Sequence, residues 1–334
     1  MRTSLKVRET DRVSQKPETA RKCVSLVVPV HNEEEAIPVF LRETKRIFDA
    51  LADDALEFEY IFVNDGSRDG TLRTLIEAQA TYPNIRVVDF SRNFGKEAAL
   101  TAGLDYCKSD AAIPIDVDLQ DPPEIIEKLV SKWREGFEVV VARRVDRSSD
   151  SWAKSWTAKL FYRVHNRIAD DKLPENVGDF RIMDRIALDA LKSLPERRRF
   201  MKGLFAWVGF ETATVDYTRD ARAAGETKFS FKKLWALALE GITSFSSMPL
   251  EVWTYVGGLI AIFAFGYGGF IVGYAAVHGI SVPGYASLMA GMMFLGGVQL
   301  LGIGVLGQYV GRIYSEVKQR PIYVVRKVIE SEAN

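Results

Sequence analysis

The sequence predicts an α/β fold with a mostly parallel sheet and flanking helices, followed by a C-terminal two-helix transmembrane hairpin. Two observations lead to this prediction. Short apolar segments alternate with helical patterns from residue 24 to about residue 145, which is typical of βαβ units. The 60 residues 252–311 then contain no Asp, Glu, Lys or Arg, and this length suits two membrane-spanning helices.

The first region divides into five strands, each followed by a polar turn. The predicted strands are 24–30, 60–63, 86–90, 111–115 and 138–142, and the helices between them end near residues 51, 82, 106 and 134. Strands that are joined by helices run parallel, so their carboxyl ends meet at one edge of the sheet. Open sheets of this kind bind ligands at that edge.

The apolar region reads as two helices, about residues 250–277 and 285–312, joined by a turn that contains Gly and Pro. Glycines occur throughout both helices and would allow close helix contacts, within the hairpin or in a homo-oligomer. Lys228, Lys232 and Lys233 precede the first helix, and Arg312 and Lys318 follow the second. By the positive-inside rule, both ends lie in the cytoplasm.

The remaining segments complete the predicted domain organisation. Residues 1–22 are polar and are expected to form a disordered tail, and residues 23–228 form a cytoplasmic globular domain. Residues 229–249 are amphipathic and aromatic, which favours a helix at the membrane interface or an ordinary helix packed on the globular domain. Residues 313–334 are expected to be a cytoplasmic C-terminal tail.

Composition excludes several classes of function. Lys plus Arg and Asp plus Glu are both 44, and this zero net charge argues against a nucleic-acid binder that depends on bulk positive charge. The two cysteines show no metal-binding spacing. No glycine-rich dinucleotide or P-loop motif follows the first strand, which disfavours dehydrogenases and P-loop ATPases.

The most informative motif is an acidic segment at the end of the fourth strand. Asp116 and Asp118 are two residues apart, so in an extended chain their carboxylates point the same way. Such hard oxygen ligands suit Mg²⁺ or Mn²⁺, with waters and a diphosphate as further ligands. A solvated acidic turn is the alternative for this motif alone. Asp121 resembles the N-cap of the next helix more than a metal ligand.

Other polar residues follow the first two strands. Pro29, His31 and Glu33 lie at the end of the first strand, and Asp65 lies at the end of the second. Carboxylates such as Glu33 and Asp65 can accept hydrogen bonds from a base or a ribose. Each could alternatively be a turn former, but their repetition at successive strand ends favours one shared cleft.

Basic residues come later in the chain. Arg143 and Arg147 follow the fifth strand, and Lys154 lies in the next helix. Arg222 and Lys228 flank a glycine-containing loop that could fold over a diphosphate or be a solvated loop.

Two further basic segments are candidates for anion binding or catalysis. The turn from Ser91 to Lys96 could form an anion site at a helix terminus. Asp179 and Arg181 could serve as base and phosphate ligand, or form a structural ion pair.

Taken in order, these segments resemble the polyisoprenyl-phosphate glycosyltransferases of glycosyltransferase family 2, and most closely the bacterial bactoprenol glucosyltransferases. The resemblance covers about residues 23–328. It is carried by PVHNEEE, FVNDGSRDGT, SRNFGKEAALTAGL, IPIDVDLQDPPE, NVGDFRIM, MKGLFAWVGF, AAGETKFS, ALEGITSFSSMPL and RPIYVV.

The resemblance implies a glycosyltransferase A type domain and assigns roles to residues. Metal and diphosphate map onto Asp116, Asp118 and Gln120, and the catalytic aspartate maps onto Asp179. Donor contacts map onto Pro29, His31, Glu33, Asp65, Arg222 and Lys228, with His31 standing where Tyr or Phe is common. Arg143, Arg147, Lys154 and Arg181 are the cations expected to guide the acceptor phosphate.

The implied reaction is inverting transfer of one hexose, with glucose from UDP-glucose favoured, to undecaprenyl phosphate at the cytoplasmic face of the bacterial inner membrane. The lipid-linked product would serve cell-surface glycan modification such as that of the lipopolysaccharide O-antigen, with a separate flippase as partner. The Gln-x-x-Arg-Trp motif of processive synthases is absent, which argues against chain elongation. Mannose, N-acetylglucosamine or an amino-arabinose derivative as the sugar, and a non-catalytic membrane protein that senses nucleotide sugars, remain alternatives.

Overall fold

The computed structural model describes residues 21–51, 53, 55–145, 177–197, 199, 201–218, 248–278 and 284–330. Within these ranges the chain forms eight strands and eight helices. The strands are β1 Lys22–Val30, β2 Leu56–Asn64, β3 Ile85–Phe90, β4 Ala111–Pro114, β5 Val139–Arg144, β6 Val177–Asp184, β7 Thr212–Tyr217 and β8 Val325–Glu330. The helices are α1 Ala36–Leu51, α2 Thr71–Ala78, α3 Lys96–Tyr106, α4 Ile125–Arg134, α5 Arg185–Ser193, α6 Met201–Trp207, α7 Met248–His278 and α8 Tyr285–Val317.

All eight strands belong to one sheet, in the order β7-β5-β6-β4-β1-β2-β3-β8. Strands β4, β1, β2 and β3 are neighbours and run parallel, as the alternation of strands and helices predicts. The five predicted strands and the helices between them are all present. The predicted α/β class with a mostly parallel sheet is therefore confirmed.

The core lies on both faces of this sheet. Along β1, Val24, Leu26 and Val28 pack into one hydrophobic cluster, whereas Val27 packs into the other. This alternation follows from the two-residue period of a strand, and burial on both faces explains why β1 reads as a continuous apolar run. Helices α1 and α4 contribute to the first cluster, and α3 and α5 contribute to the second.

Two strands depart from the parallel pattern. β6 lies between β4 and β5 and is antiparallel to both, and β8 pairs antiparallel with β3 at the edge of the sheet. The reversal of β6 has a consequence for the site, because an antiparallel strand begins at the edge where its parallel neighbours end. Residues 177–179 therefore lie at the same edge as the carboxyl ends of β4 and β1.

The C-terminal segment differs from the predicted tail. Helix α8 continues to Val317, and residues 325–330 form β8 in the main sheet. Tyr323 stacks on Phe90 with ring centroids 5.1 Å apart, and its hydroxyl donates a hydrogen bond to Asp105 at 2.8 Å. An edge position gives β8 only one sheet neighbour, which explains why its hydrophobic pattern is weak in the sequence.

Helices α7 and α8 coincide with the two predicted apolar helices. Their surfaces carry exposed large hydrophobic side chains, among them Leu259, Phe263, Phe270, Leu300 and Leu306. By length and hydropathy, the described part of the chain contains one stretch able to cross a membrane, Phe294–Val317 in α8. Both long helices are thus present, and the two-helix transmembrane hairpin stays a prediction. The predicted interfacial segment 229–249 lies outside the described residues, apart from the start of α7.

Candidate active site at the carboxyl ends of the strands

The cleft is formed where neighbouring strands end. β1 lies between β4 and β2, so the polar residues that follow these three strands meet at one edge of the sheet. His31 and Glu33 follow β1, Asp65 follows β2, and Asp116 follows β4. The structure therefore brings these four predicted site residues to one edge of the sheet, although they are distant in sequence. Pro29 lies inside β1, opposite Val63 of β2.

Asp65 organises the loop that leads into α3. Its side chain is buried, and its two carboxylate oxygens accept hydrogen bonds from the backbone N–H groups of Phe94 at 2.6 Å and Gly95 at 2.9 Å. The His31 ring lies beside it, with Nδ1 at 2.8 Å from the backbone oxygen of Asp65. Asp65 thus has a structural role in this loop, and the predicted donor contact of Asp65 stays a prediction.

A glycine allows the two loops to approach each other. Gly66 has φ +61°, and a Cβ at this position would lie 2.4 Å from the backbone carbonyl carbon of Arg92. Only a glycine accommodates both the left-handed conformation and this backbone contact. The Asp-Gly pair after β2 is therefore required by the packing of the site as well as by turn chemistry.

The Asp116–Gln120 segment turns sharply after β4. The Asp118 carboxylate accepts a hydrogen bond from the backbone N–H of Gln120 at 3.1 Å. Leu119 between them has φ +53°, an uncommon conformation for a branched apolar residue. Backbone of this type costs about 1–3 kcal/mol and occurs often at functional sites. This conformation turns the chain just after the two aspartates, where the predicted metal ligands lie.

The structure assigns Asp121 a different role from the predicted N-cap. Helix α4 begins at Ile125, its N-cap position is Glu124, and no side chain caps it. Asp121 instead accepts a hydrogen bond from the hydroxyl of Tyr217 at 2.6 Å. The sequence could not show this contact, because Tyr217 comes 96 residues later on β7.

Lys96 is the central basic group of the cleft and was not among the predicted catalytic or binding residues. Its Nζ lies 2.6 Å and 2.8 Å from the two carboxylate oxygens of Asp116, and 3.3 Å from Oδ2 of Asp179. Desolvation would lower the pKa of Lys96, but Asp116 and Asp179 raise it above its ordinary value. The basic turn from Ser91 to Lys96 was the sequence signal for this residue, although the turn was interpreted as an anion site.

Asp179 reaches the cleft from β6. Its side chain is 24% exposed and faces Lys96. The sequence suggested a local pair with Arg181, yet Asp179 forms an ion pair with Lys96, 83 residues earlier in the chain. The antiparallel course of β6 explains this arrangement, because it brings the start of the strand next to α3 and β4.

Arg181 is placed differently from the prediction that it binds an acceptor phosphate. The residue is 4% exposed, its guanidinium carbon lies 3.9 Å from the ring centroid of Phe205, and Nη2 donates to the backbone oxygen of Gly178 at 2.7 Å. Desolvation lowers the pKa of Arg181 to about 10, against the opposing effect of Asp179. In this structure Arg181 supports the start of β6 and is not open to a bound phosphate.

The other predicted cations divide into two groups. Arg143 forms a two-point ion pair with Asp216 at 2.7 Å and 3.0 Å, with both side chains 47% exposed. Arg147, Lys154, Arg222 and Lys228 lie outside the described residues.

The carboxylates of the cleft raise one another's pKa. Burial raises the pKa of Glu33, and Asp118, Asp69 and Asp116 raise it further. Burial also raises the pKa of Asp116, although Lys96 opposes this shift. Carboxylates that raise one another's pKa in this way are close enough to gain from a divalent cation among them.

The ligand set fits a metal that retains waters. Asp116 and Asp118 would supply hard carboxylate oxygens, and Gln120 would add an amide oxygen. Within the described ranges, no group of three or more His, Cys, Asp or Glu side chains is arranged to enclose a metal. Mg²⁺ and Mn²⁺ do not require such a cage, because waters and substrate phosphates usually complete their coordination.

Glu97 is a further residue of the cleft that the sequence analysis did not single out. Desolvation and the nearby Asp179 raise its pKa to about 7. Its carboxylate accepts a hydrogen bond from the backbone N–H of Met201 at 3.2 Å, which connects α3 to α6. Two neighbouring residues of α3, Lys96 and Glu97, thus both interact with Asp179.

Comparison with known proteins identifies the family. The family described as Glycosyl transferase family 2 matches residues 25–192, which contain the whole cleft described above. The chain belongs to glycosyl transferase family 2. This family-2 chain is 51% identical to the prophage bactoprenol glucosyl transferase homolog of Escherichia coli, over 91% of this chain and 99% of the relative.

Two further comparisons place the family-2 chain among relatives. It is 53% identical to the SfII prophage-derived bactoprenol glucosyl transferase of Shigella flexneri, over 91% of this chain and 97% of the relative. Among solved structures, it is similar to the mannosyltransferase of Pyrobaculum calidifontis in complex with GDP-Man and Mn²⁺. That likeness has 15% identity and a TM-score of 0.46, and covers 90% of this chain and 89% of the other.

Proposed function

We propose that this family-2 glycosyltransferase transfers one hexose from a UDP-sugar to undecaprenyl phosphate at the cytoplasmic face of the bacterial inner membrane. The proposed sugar is glucose. The observation that carries the proposal is the similarity to two bactoprenol glucosyl transferase relatives along 91% of the chain. Since 305 of the 334 residues are matched, the similarity includes most of the apolar helical region, which would reach a lipid acceptor.

The cleft provides the groups that such a transfer needs. Asp116, Asp118 and Gln120 would hold Mg²⁺ or Mn²⁺, which when bound supplies charge neutralisation for the departing UDP. Glu33 lies at the same edge of the sheet and can accept a hydrogen bond from the donor. Donor contacts by His31, Arg222 and Lys228 belong to the same proposal.

The chemical step is a direct displacement. A phosphate oxygen of the lipid forms a bond to the anomeric carbon while the bond from that carbon to the UDP oxygen breaks. Attack from the face opposite UDP inverts the anomeric centre, so an α-linked donor gives a β-linked product. The acceptor is already an anion at neutral pH, so Asp179 orients the reacting groups and no strong base is required.

The two long apolar helices support a reaction beside the bilayer. The exposed apolar side chains of α7 and α8 form a surface too large for an aqueous environment, and they suit contact with lipid. Both helices would span the membrane, with the cleft at headgroup depth. Arg143, Arg147 and Lys154 are the cations proposed to attract the acceptor phosphate, since Arg181 is buried.

The test is a donor screen with purified protein and undecaprenyl phosphate. UDP-glucose, UDP-N-acetylglucosamine, GDP-mannose and an amino-arabinose donor are each supplied, and the mass of the lipid product is measured. A product one hexose heavier than the lipid phosphate, formed only with UDP-glucose, supports the proposal. UDP-glucose binding without UDP release in the presence of the lipid would instead indicate a non-catalytic sensor of nucleotide sugars.

A further inference from the structure

The ammonium group of Lys96 binds the carboxylate of Asp116, which the proposed function assigns to the metal. Its Nζ lies 2.6 Å and 2.8 Å from the two oxygens of Asp116, so it engages the whole carboxylate group. The same Nζ lies 3.3 Å from Asp179 on another strand. One ammonium group therefore bridges the proposed metal ligand and the proposed catalytic aspartate.

The position of Lys96 is fixed by the loop before it. Lys96 is the first residue of α3, and the preceding Gly95 donates its N–H to the buried Asp65 at 2.9 Å. The N–H of Phe94 is bound by the same carboxylate at 2.6 Å. The backbone of Lys96 is thus anchored, while its side chain is 48% exposed and able to change rotamer.

A divalent cation and the ammonium group of Lys96 compete for the same oxygens. Mg²⁺ bonds to carboxylate oxygen at about 2.0–2.1 Å, and two positive groups on one carboxylate repel each other. We propose that Lys96 is a positioning residue that joins Asp116 to Asp179 until a divalent cation displaces it from Asp116. This inference rests on the metal assignment in the proposed function and adds a residue to it.

Displacement of Lys96 would couple two events. When Lys96 leaves Asp116, its contact with Asp179 is also disturbed, because both contacts are made by the same nitrogen atom. Loading of cation and donor would then free Asp179 for the acceptor. Without the cation, Asp179 stays paired with Lys96, and one ammonium group offsets part of the negative charge of the cleft.

The experiment compares Mn²⁺ binding in the absence of nucleotide. Wild-type protein, Lys96→Met, Lys96→Arg and Lys108→Met are titrated with Mn²⁺, and free Mn²⁺ is measured by electron paramagnetic resonance. Lys108→Met is the matched control, because it removes the same charge beyond the opposite end of α3. Thermal unfolding of each variant is recorded alongside.

Removal of the competing charge should make Mn²⁺ binding about tenfold tighter in Lys96→Met, since a cation no longer has to displace an ammonium group at ion-pair distance. Lys96→Arg and Lys108→Met should bind Mn²⁺ about as the wild type does. The Mn²⁺ concentration that gives half-maximal turnover should fall by the same factor in Lys96→Met, because no ammonium group has to leave Asp116.

Unchanged or weaker Mn²⁺ binding by Lys96→Met would overturn the inference and leave the metal site intact, because a purely structural lysine predicts that result. A wild-type protein that binds no Mn²⁺, with or without UDP, would overturn both this inference and the metal assignment. If Lys96→Met does not fold, Lys96→Gln is titrated in its place. Equal Mn²⁺ affinity in Lys96→Gln and the wild type would then contradict the inference.

Discussion

At the residue scale, the site is a set of carboxylates with one lysine among them. Asp116 and Asp118 are two residues apart in sequence, whereas Lys96 and Asp179 reach them from α3 and β6. Burial and neighbouring carboxylates raise the pKa of Glu33 and Asp116, although Lys96 opposes the shift at Asp116. Single substitutions in this group should each change a different property: metal binding, turnover or the pH dependence of stability.

Asp116→Ala and Asp118→Ala should each abolish metal-dependent transfer, because each removes one of two carboxylate ligands on the same turn. The measurement is UDP release from UDP-glucose with undecaprenyl phosphate, with and without Mn²⁺, in protein extracted from membranes. The fraction of protein found in membranes should not change. Full activity of the wild type in EDTA would contradict the metal assignment.

Asp179→Asn should reduce turnover by about 10²-fold or more while the Kd for UDP-glucose changes little, because the residue acts on the acceptor side and keeps its size. Rates are compared with donor affinity measured by calorimetry. Asp189→Asn is a control, since Asp189 is exposed on α5 and pairs only locally with Arg185. Normal turnover in Asp179→Asn would remove Asp179 from the mechanism.

Glu97→Gln should change how stability depends on pH. The folded-state pKa of Glu97 is about 7, above its ordinary value of 4.5, so the folded protein binds the extra proton and loses stability as pH rises through this window. Replacement by Gln removes that loss and keeps an acceptor for Met201. The Tm of Glu97→Gln relative to wild type should therefore rise between pH 5 and about pH 8. A constant difference in Tm would show that the pKa of Glu97 is ordinary.

At the scale of elements, the end of helix α8 and the C-terminal strand β8 connect the apolar helices to the sheet. The backbone N–H of Arg197, after α5, lies 3.0 Å and 3.1 Å from the two carboxylate oxygens of Glu316 near the end of α8. After α8 the chain returns to the sheet, where Ser91 donates its N–H to the backbone oxygen of Val324 at 3.0 Å. Because Ser91 begins the loop that leads to Lys96, α8 is connected to the cleft through a short segment of chain.

Gly302→Ala should weaken the packing of α7 against α8. A Cβ at Gly302 would lie 1.9 Å from Nε1 of Trp253, so the indole or the helix would have to move. Gly304→Ala is the matched control, because a Cβ there meets no described atom within 4 Å. Alanine at that control position should be neutral or stabilising, by up to about 1 kcal/mol of helix propensity.

The measurement for the helix contact is the Tm in detergent, followed by tryptophan fluorescence. Gly302→Ala should lower the Tm, and the double variant Gly302→Ala with Trp253→Ala should show less than the sum of the two single effects, since the clash is then absent. Additive effects would show that Trp253 and Gly302 do not contact each other.

At the scale of the whole molecule, the chain combines an α/β sheet region with two long apolar helices. Helix α8 has 33 residues, which corresponds to about 50 Å, longer than the roughly 30 Å hydrocarbon core of a bilayer. Its C-terminal end can therefore extend out of the membrane to the contact with Arg197. Under the proposed two-span topology, the catalytic domain and both termini would lie on the cytoplasmic side.

Cysteine accessibility tests this orientation. A cysteine introduced as Ser281→Cys, between the two helices, should react with a membrane-impermeant maleimide in intact spheroplasts. The natural Cys23, which is half-buried, should react only after the membrane is opened, and the buried Cys107 only after the protein is also unfolded. Labelling of a Ser331→Cys variant in intact spheroplasts would contradict two membrane crossings.

The sequence by itself determined the local features of this protein. Strands β1 to β5, helices α1 to α4, both long helices, and the edge of the sheet that carries the site were all predicted, because hydrophobic period and turn residues are local properties. The tertiary structure alone decided the antiparallel β6, the edge strand β8, the burial of Arg181 against Phe205, and the bridge from Lys96 to Asp116 and Asp179. These depend on contacts between residues from about 20 to over 200 positions apart, and no local pattern in the chain records which distant strands become neighbours.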